Sequence, residues 1–260
     1  MCRILAYLGE PFSPALPVLE AEHSLLVQSY RPREMLSGTA NADGFGVVWY
    51  HEGRPVRIAG DRPIWQASDL PALLRSVRTP AALAVVRSAT PGIPVAGGRQ
   101  PMTAGRHAFA FNGAVDDFRA RLMRRLHHAL PDEVYATLGG VSDTEALFRL
   151  AVARLRGGDG GAEALGSATA QVAREARSAG VRARLTSVLC DGDSLVGVRY
   201  ATGGGANTLY LAERPPSAPL GTVLSSEPLD GGASWQEVPA GSVVRVTEDG
   251  VRISPFDPDP

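Results

Sequence analysis

The sequence predicts an α+β protein: two packed β-sheets with helices outside them, in one domain over residues 2–254. Three observations carry that expectation. Several strands are apolar on both faces. In RHAFAFNG (106–113), Phe109 and Phe111 point one way while Ala108 and Ala110 point the other, and LAVVRSA (83–89) and RLTSVLC (184–190) behave alike. A strand without a polar face lies in a sheet covered on both sides. From 182 to 254 the chain reads as strands only, so a second sheet must cover what helices do not. No proline- or serine-rich linker interrupts the pattern.

The elements follow in order. CRILAYL (2–8) reads as a strand and VLEAEHSLLVQSY (18–30) as a helix with an apolar stripe. GFGVVWYH (44–51) and RPVRIAG (54–60) form a hairpin around Glu52-Gly53. Residues 67–78 read as a helix entered through Ser68 and Asp69 with Pro71 in its first turn. Two strands, 83–89 and 106–113, flank a Gly/Pro-rich loop. Helices are predicted over 116–129, 142–155 and 162–179, the last two separated by a loop at 157–161. Strands then come in RARLTSVLCD, SLVGVRYAT, NTLYLAE, GTVLSS, SVVRVT and VRIS. The tail PFDPDP (255–260) is polar, proline-broken and expected to be loose.

Bulk properties narrow the function. At 260 residues and 44% hydrophobic, the chain can bury a large core. A net charge of −1 creates no field that recruits nucleic acid or an anionic membrane. All 26 basic residues are arginine, which removes lysine chemistry. No apolar run approaches the ~20 residues of a spanning helix, and the first segment lacks the order of a secretory signal. Two cysteines and five scattered histidines provide neither a disulfide framework nor zinc spacing. The expectation is a soluble, cytoplasmic protein without metal or cofactor.

The chain opens MCRILAYLGE, with a cysteine behind the initiator methionine. Removal of that methionine would make Cys2 the first residue, its sulfur beside an α-amine of reference pKa ~7.7–8.0. Such an amine can take the thiol proton and return it to a leaving group. A cysteine that is second by chance and stays capped is the competing reading. FAFNGAV puts Asn112-Gly113 at the end of a buried strand, where the pair makes either a tight turn or an oxyanion hole. AVVRSATPG leaves Arg87 at another strand end, as a structural ion pair or a bidentate carboxylate grip. VSDTEALF starts a helix with Ser142 and Glu145 spaced as a capping box. Asp143 there serves the helix dipole or presents a carboxylate to an ammonium group.

Cys2, Arg87, Asn112-Gly113 and Asp143, in this order, resemble the class II glutamine amidotransferases of the N-terminal-nucleophile hydrolase superfamily. The segments MCRILAYLGEP, HSLLVQSYRPRE, NADGFGVVWY, VRSATPG, FAFNGAVDDF, SDTEALF and SSEPLD resemble the branch that serves ergothioneine biosynthesis, from residue 2 to about residue 240. The resemblance implies a four-layer αββα sandwich. It implies Cys2 as nucleophile with its own amine as base, Arg87 on a glutamyl α-carboxylate, Asp143 on its α-ammonium, and Asn112 and Gly113 on the oxyanion. The implied reaction is hydrolysis of a γ-glutamyl amide through a Cys2 thioester, with γ-glutamyl-hercynylcysteine sulfoxide as the small-molecule substrate. It leaves a homodimer open.

Two segments depart from the family pattern. Typical members read Arg-Trp-Ala-Thr-His-Gly where this chain has Arg87-Ser88-Ala89-Thr90-Pro91-Gly92. RQPM (99–102) replaces a His-Pro-Phe type of loop, so Gln100 stands for a histidine and this loop is expected to alter recognition. Cys190 reads as inert core and His127-His128 as solvated surface, while His23, Trp49 and Tyr50 line a pocket or pack the core. Two alternatives stay open: a glutaminase subunit that passes ammonia to a separate synthetase, and a non-catalytic binding protein of the same fold.

Overall fold

The computed structural model describes residues 1–88, 99–232 and 235–259. Its first strand, β1 (Arg3–Phe12), runs four residues past the predicted end. The single helix expected over 18–30 is two pieces: a π-type turn at Leu16–Glu20, then α1 (Leu25–Tyr30). The break has a local cause. Ala21 is extended (φ −60, ψ 155), and the Ser24 hydroxyl accepts from the Val27 N–H to cap a new helix. β2 (Phe45–His51) and β3 (Arg54–Gly60) form the expected hairpin, with Glu52 (φ 49) and Gly53 (φ 71) both left-handed, as a two-residue turn matched to strand twist requires. α2 (Leu70–Ser76) leads into β4 (Thr79–Val86).

β5 (Met102–Ala104) and β6 (His107–Val115) follow. The helix expected over 116–129 is again two pieces, α3 (Phe118–Arg121) and α4 (Met123–His128), entered from a left-handed Asp117 (φ 50). A further turn, α5 (Asp132–Tyr135), precedes α6 (Asp143–Arg156) and α7 (Gly161–Ser178). The chain ends in strands β7 (Ala183–Cys190), β8 (Leu195–Arg199), β9 (Tyr210–Glu213), β10 (Gly221–Ser225), β11 (Gln236–Glu237), β12 (Ser242–Thr247) and β13 (Gly250–Pro255). β5, α5 and β11 are too short to show a hydrophobic period, so pattern alone does not reveal them.

The strands form two antiparallel sheets, ordered β11-β9-β10-β1-β4-β2-β3 and β13-β12-β8-β7-β6-β5. Between them lies an apolar layer of small and branched side chains, among them Ile4, Ala6, Val85, Ala110, Val188 and Leu224. On the outer face of the first sheet, Leu5, Tyr7 and Val47 pack against Leu25 of α1 and Leu70 and Leu74 of α2. On the outer face of the second, Phe109 and Phe111 pack beneath α3–α7, with Phe109 stacked on Phe148 at 5.2 Å. Thus β6 sends its phenylalanines to the helices and its alanines to the other sheet, and both sheets are covered on both faces. The α+β architecture of two packed sheets with outer helices is the one the two-sided strands predict.

The terminal segment, expected to be loose, lies against α7. Arg174 Nη1 donates to the Pro258 carbonyl (2.6 Å), Arg177 pairs with Asp259, and the Phe256 ring meets Tyr200 edge-on at 5.3 Å. Two arginines one turn apart on the helix supply the donors that composition does not reveal. Among the described residues, no helix is long and apolar enough to cross a membrane.

Candidate active site

The start of β1 and the end of β4 set the first half of the site. The antiparallel register that pairs Arg3 with Val86, continued by one residue, places Cys2 beside Arg87. Arg87 is tied to the start of β2: its N–H donates to the Gly44 carbonyl (2.9 Å) and its carbonyl accepts from Asp43 N–H (3.0 Å). Cys2 is buried at 8% exposure and packs in the layer between the sheets with Ile4 and Ala6. Arg87 is buried too, and its Nη1 has no hydrogen-bond partner among the described residues. The structural ion pair that would explain a strand-end arginine is therefore not made by that nitrogen.

β6 supplies the second half. Asn112 and Gly113 lie within the strand, which continues to Val115, so the tight-turn reading of Asn-Gly does not hold. Asn112 follows Ala108 and Ala110 on the face toward the first sheet. Its Oδ1 accepts from Asn207 Nδ2 (3.3 Å), and its own Nδ2 is buried without a partner among the described residues. Glycine at 113 has a packing reason as well: a Cβ there would stand 2.1 Å from the Arg184 carbonyl and 2.4 Å from the Phe111 ring.

α6 brings up the carboxylate. Ser142 caps the helix, its hydroxyl accepting from Glu145 N–H (3.1 Å). The other half of the expected capping box is absent, because the Glu145 carboxylate accepts from Gly139 N–H (2.8 Å) and pairs with Arg149. Asp143, the first helical residue, accepts from Val115 N–H (2.9 Å) and Thr144 N–H (2.7 Å), which joins the helix start to the end of β6. Burial of the carboxyl pushes its pKa up, against the opposing pull of those N–H donors. These donors are neutral, so a cation arriving there would meet an uncompensated buried charge.

Gln100 joins the halves. Its Oε1 accepts from Phe111 N–H (2.6 Å) and its Nε2 lies 3.9 Å from Cys2 Sγ. Residues 89–98 lie outside the described residues, and with them the Pro91 departure. At the tip of the chain the Met1 amine faces the Ser37 carbonyl (3.5 Å), and burial lowers its pKa.

Three further features escaped the sequence reading. Asn207, read only as the start of a strand, orients Asn112. Arg3 is fully buried with its Nε 3.6 Å from Glu227 Oε1, while Glu227 Oε2 sits 2.6 Å from His23 Nε2. The same carboxylate accepts from the N–H groups of Arg33 (2.9 Å) and Glu34 (3.1 Å), so it fastens the 33–34 loop to the cluster around Arg3 of β1. An arginine inside the apolar run CRILAYL was the available signal, since a buried guanidinium needs a carboxylate. His23 therefore belongs to this cluster. Tyr50 packs the core, its hydroxyl donating to the carbonyls of Cys190 (2.8 Å) and Arg106 (2.9 Å), and Trp49 packs toward the helices. Burial pushes the Cys190 thiol up to about 12, as an inert core thiol requires. His127, expected at the surface, is half-buried against Tyr135.

The family model described as glutamine amidotransferases class-II matches residues 19–221. The chain belongs to the class II glutamine amidotransferases. Within this family, it is 32% identical over 258 residues to the gamma-glutamyl-hercynylcysteine sulfoxide hydrolase of Mycobacterium tuberculosis, spanning 99% of this chain and 97% of that protein. The hydrolase of the same name from Mycolicibacterium smegmatis is also 32% identical over 258 residues, with 98% and 100% covered. These two alignments extend the likeness well beyond the span that the class II amidotransferase model covers. Among solved structures, a glutamine aminotransferase class-II domain protein from Silicibacter pomeroyi superposes with a TM-score of 0.74 at 25% identity, covering 98% of this chain and 99% of that one. The glutamine phosphoribosylpyrophosphate amidotransferase of B. subtilis shares the fold at 16% identity and TM-score 0.67, with 49% of its length covered. The chain thus has the fold of the N-terminal-nucleophile hydrolases, shared with these class II glutamine amidotransferases.

Proposed function

We propose that the chain hydrolyses a γ-glutamyl amide through a thioester on Cys2, and that its substrate is γ-glutamyl-hercynylcysteine sulfoxide, the compound named in its mycobacterial relatives. One observation carries the reading. Asn112 Nδ2, on the β6 face toward the first sheet, and Arg87 Nη1, one residue past β4 and next to Cys2 in the continued register, are both buried without partners among the described residues. An unpaired buried donor costs ~1–3 kcal/mol. Two such donors, one beside Cys2 in register and one on the strand that Gln100 ties to it, support a site that an anionic, carbonyl-bearing ligand completes.

In the proposed reaction Met1 has been removed, and the Cys2 α-amine takes the thiol proton. The thiolate attacks the γ-carbonyl, and the oxygen that becomes negative receives hydrogen bonds from Asn112 Nδ2 and Gly113 N–H. Collapse breaks the C–N bond, and the departing amine takes the proton from the Cys2 α-ammonium. Water, deprotonated by the Cys2 α-amine, opens the thioester and releases glutamate, and the leaving thiolate takes that proton back. Arg87 grips the α-carboxylate of the glutamyl group and Asp143 meets its α-ammonium, so each end of the zwitterion finds one opposite charge. Free thiols at Cys2 and Cys190 accord with a cytoplasmic location.

Glutamate release is the test. Purified protein should turn over γ-glutamyl-hercynylcysteine sulfoxide with a kcat/KM at least about tenfold above that for glutamine, and its intact mass should be lower by one methionine. Cys2→Ala should be inactive and Cys190→Ala active. A preference for glutamine would instead favour an ammonia-delivering subunit, and full activity with Met1 retained would refute the self-activated nucleophile.

A further inference from the structure

β5 pairs with β6 from Ala104↔His107 to Met102↔Phe109. Two residues further along that register Gln100 stands opposite Phe111, where the backbone partner gives way to a side chain. Phe111 N–H donates to Gln100 Oε1 at 2.6 Å. A backbone N–H can only donate, so this bond identifies the oxygen end of the amide. The end that faces Cys2 Sγ at 3.9 Å is therefore the NH2 group, a donor aimed at sulfur. The side chain is 3% exposed and cannot turn to solvent. Its main chain is clamped from the first sheet: a Cβ on Gly46 of β2 would lie 2.0 Å from the Gln100 carbonyl oxygen. An amide in this place donates to sulfur yet neither takes nor gives a proton near neutral pH.

We propose that Gln100 is the positioning residue of the nucleophile: its amide holds the Cys2 sulfur against the strand that carries Asn112 and favours the thiolate, leaving the thiol proton to the α-amine of residue 2. The proposal rests on the reading of Cys2 as nucleophile. Gln100, whose loop is expected to alter recognition, turns its own side chain inward toward Cys2.

The experiment measures alkylation of Cys2 by iodoacetamide across pH, in the full chain on a Cys190→Ala background. Gln100→Glu keeps the size and an oxygen for Phe111 N–H, but turns a second carboxylate oxygen toward sulfur. Its alkylation midpoint should rise by about one pH unit or more, with kcat for glutamate release down about tenfold or more and KM changed less than about threefold. Gln100→Met, which removes the donor without adding charge, should shift the midpoint in the same direction by less. Iodoacetamide reports the thiolate whether or not the chain hydrolyses glutamyl amides, so failure here is distinct from failure of the proposed function. An unmoved midpoint in Gln100→Glu overturns the proposal. Should Gln100→Met unfold because Phe111 N–H loses its acceptor, Gln100→Glu, which keeps that bond, decides alone.

Discussion

Asn207 donates through one side-chain nitrogen to both the backbone oxygen (2.7 Å) and Oδ1 (3.3 Å) of Asn112. With Oδ1 committed, Nδ2 is the end of Asn112 that remains unpaired. Asn207 is itself held through its carbonyl, which accepts from the Thr186 hydroxyl and Arg199 Nε, both at 3.0 Å. The direction of the proposed oxyanion donor on β6 is thus set by the segment entering β9.

Asn207→Ala should therefore lower kcat about ten- to a hundredfold while KM changes little, and should cost ~1–3 kcal/mol of stability by leaving Asn112 short of a donor. Asn207→Asp, which has no N–H to offer, should lose kcat similarly. Steady-state kinetics beside denaturant unfolding separate the two effects, and an Asn207→Ala enzyme with full kcat would exclude the orienting role.

Asn112 and Arg87 should separate chemistry from recognition. The oxyanion exists only during reaction, so Asn112→Ala should reduce kcat by ~10²–10³ with KM nearly constant. The α-carboxylate is present throughout, so Arg87→Lys, which keeps the charge and loses the fork, should mainly raise KM. Both variants belong on one substrate with circular dichroism as the folding control. A KM-only effect at Asn112 would sink its assignment.

Asp143 should set an acid limb. Its carboxyl titrates above the ordinary aspartate range because burial opposes the charge. The charged form is the one that meets an ammonium, so kcat/KM should fall as pH drops through that raised pKa, earlier than for an exposed aspartate. The same shift means that the free fold is disfavoured by this charge at neutral pH, and that this cost disappears as pH falls through the folded pKa. Asp143→Asn should lose most of its affinity, and its kcat/KM profile should lose this lower limb while keeping the one that the Cys2 α-amine sets. A wild-type profile showing only the amine limb down to the ordinary carboxylate pKa would argue against Asp143 as the ammonium site.

Glu227 should be a stability residue. Burial alone would raise its carboxyl, but His23, the N–H groups of Arg33 and Glu34, and the charge on Arg3 together hold it below the usual range. A depressed folded pKa adds stability above the unfolded pKa and loses it as pH falls through the folded value. Glu227→Gln leaves Arg3 buried without a counter-charge, which typically costs about 3–5 kcal/mol. Urea unfolding at neutral and acid pH checks both claims: the gap between wild type and variant should close toward acid, and a constant gap would contradict the linkage.

The layered architecture was legible because its signal is local. Alternation of Phe109 and Phe111 with Ala108 and Ala110 assigns two faces to one strand, whatever the partner sheet turns out to be. The Ser142 cap was legible for the same reason, since its bond spans three residues. The split of the 18–30 helix was not, because its apolar residues keep a helical period while the extended Ala21, the Ser24 cap and the inward turn of His23 toward Glu227 impose a break.

By itself the sequence determined the two faces of β6 and the strand-end position of Arg87, because both follow from backbone periodicity and residue chemistry; Asn112-Gly113, expected at a strand end, lies within β6. Only the tertiary structure decided how those groups meet. Gln100 reaches Cys2 across 98 residues, Asn207 aims Asn112 across 95, and Glu227 engages His23 across 204. Such pairings have no sequence period. They are chosen when two sheets close on one another and each buried donor must find an acceptor or remain unpaired.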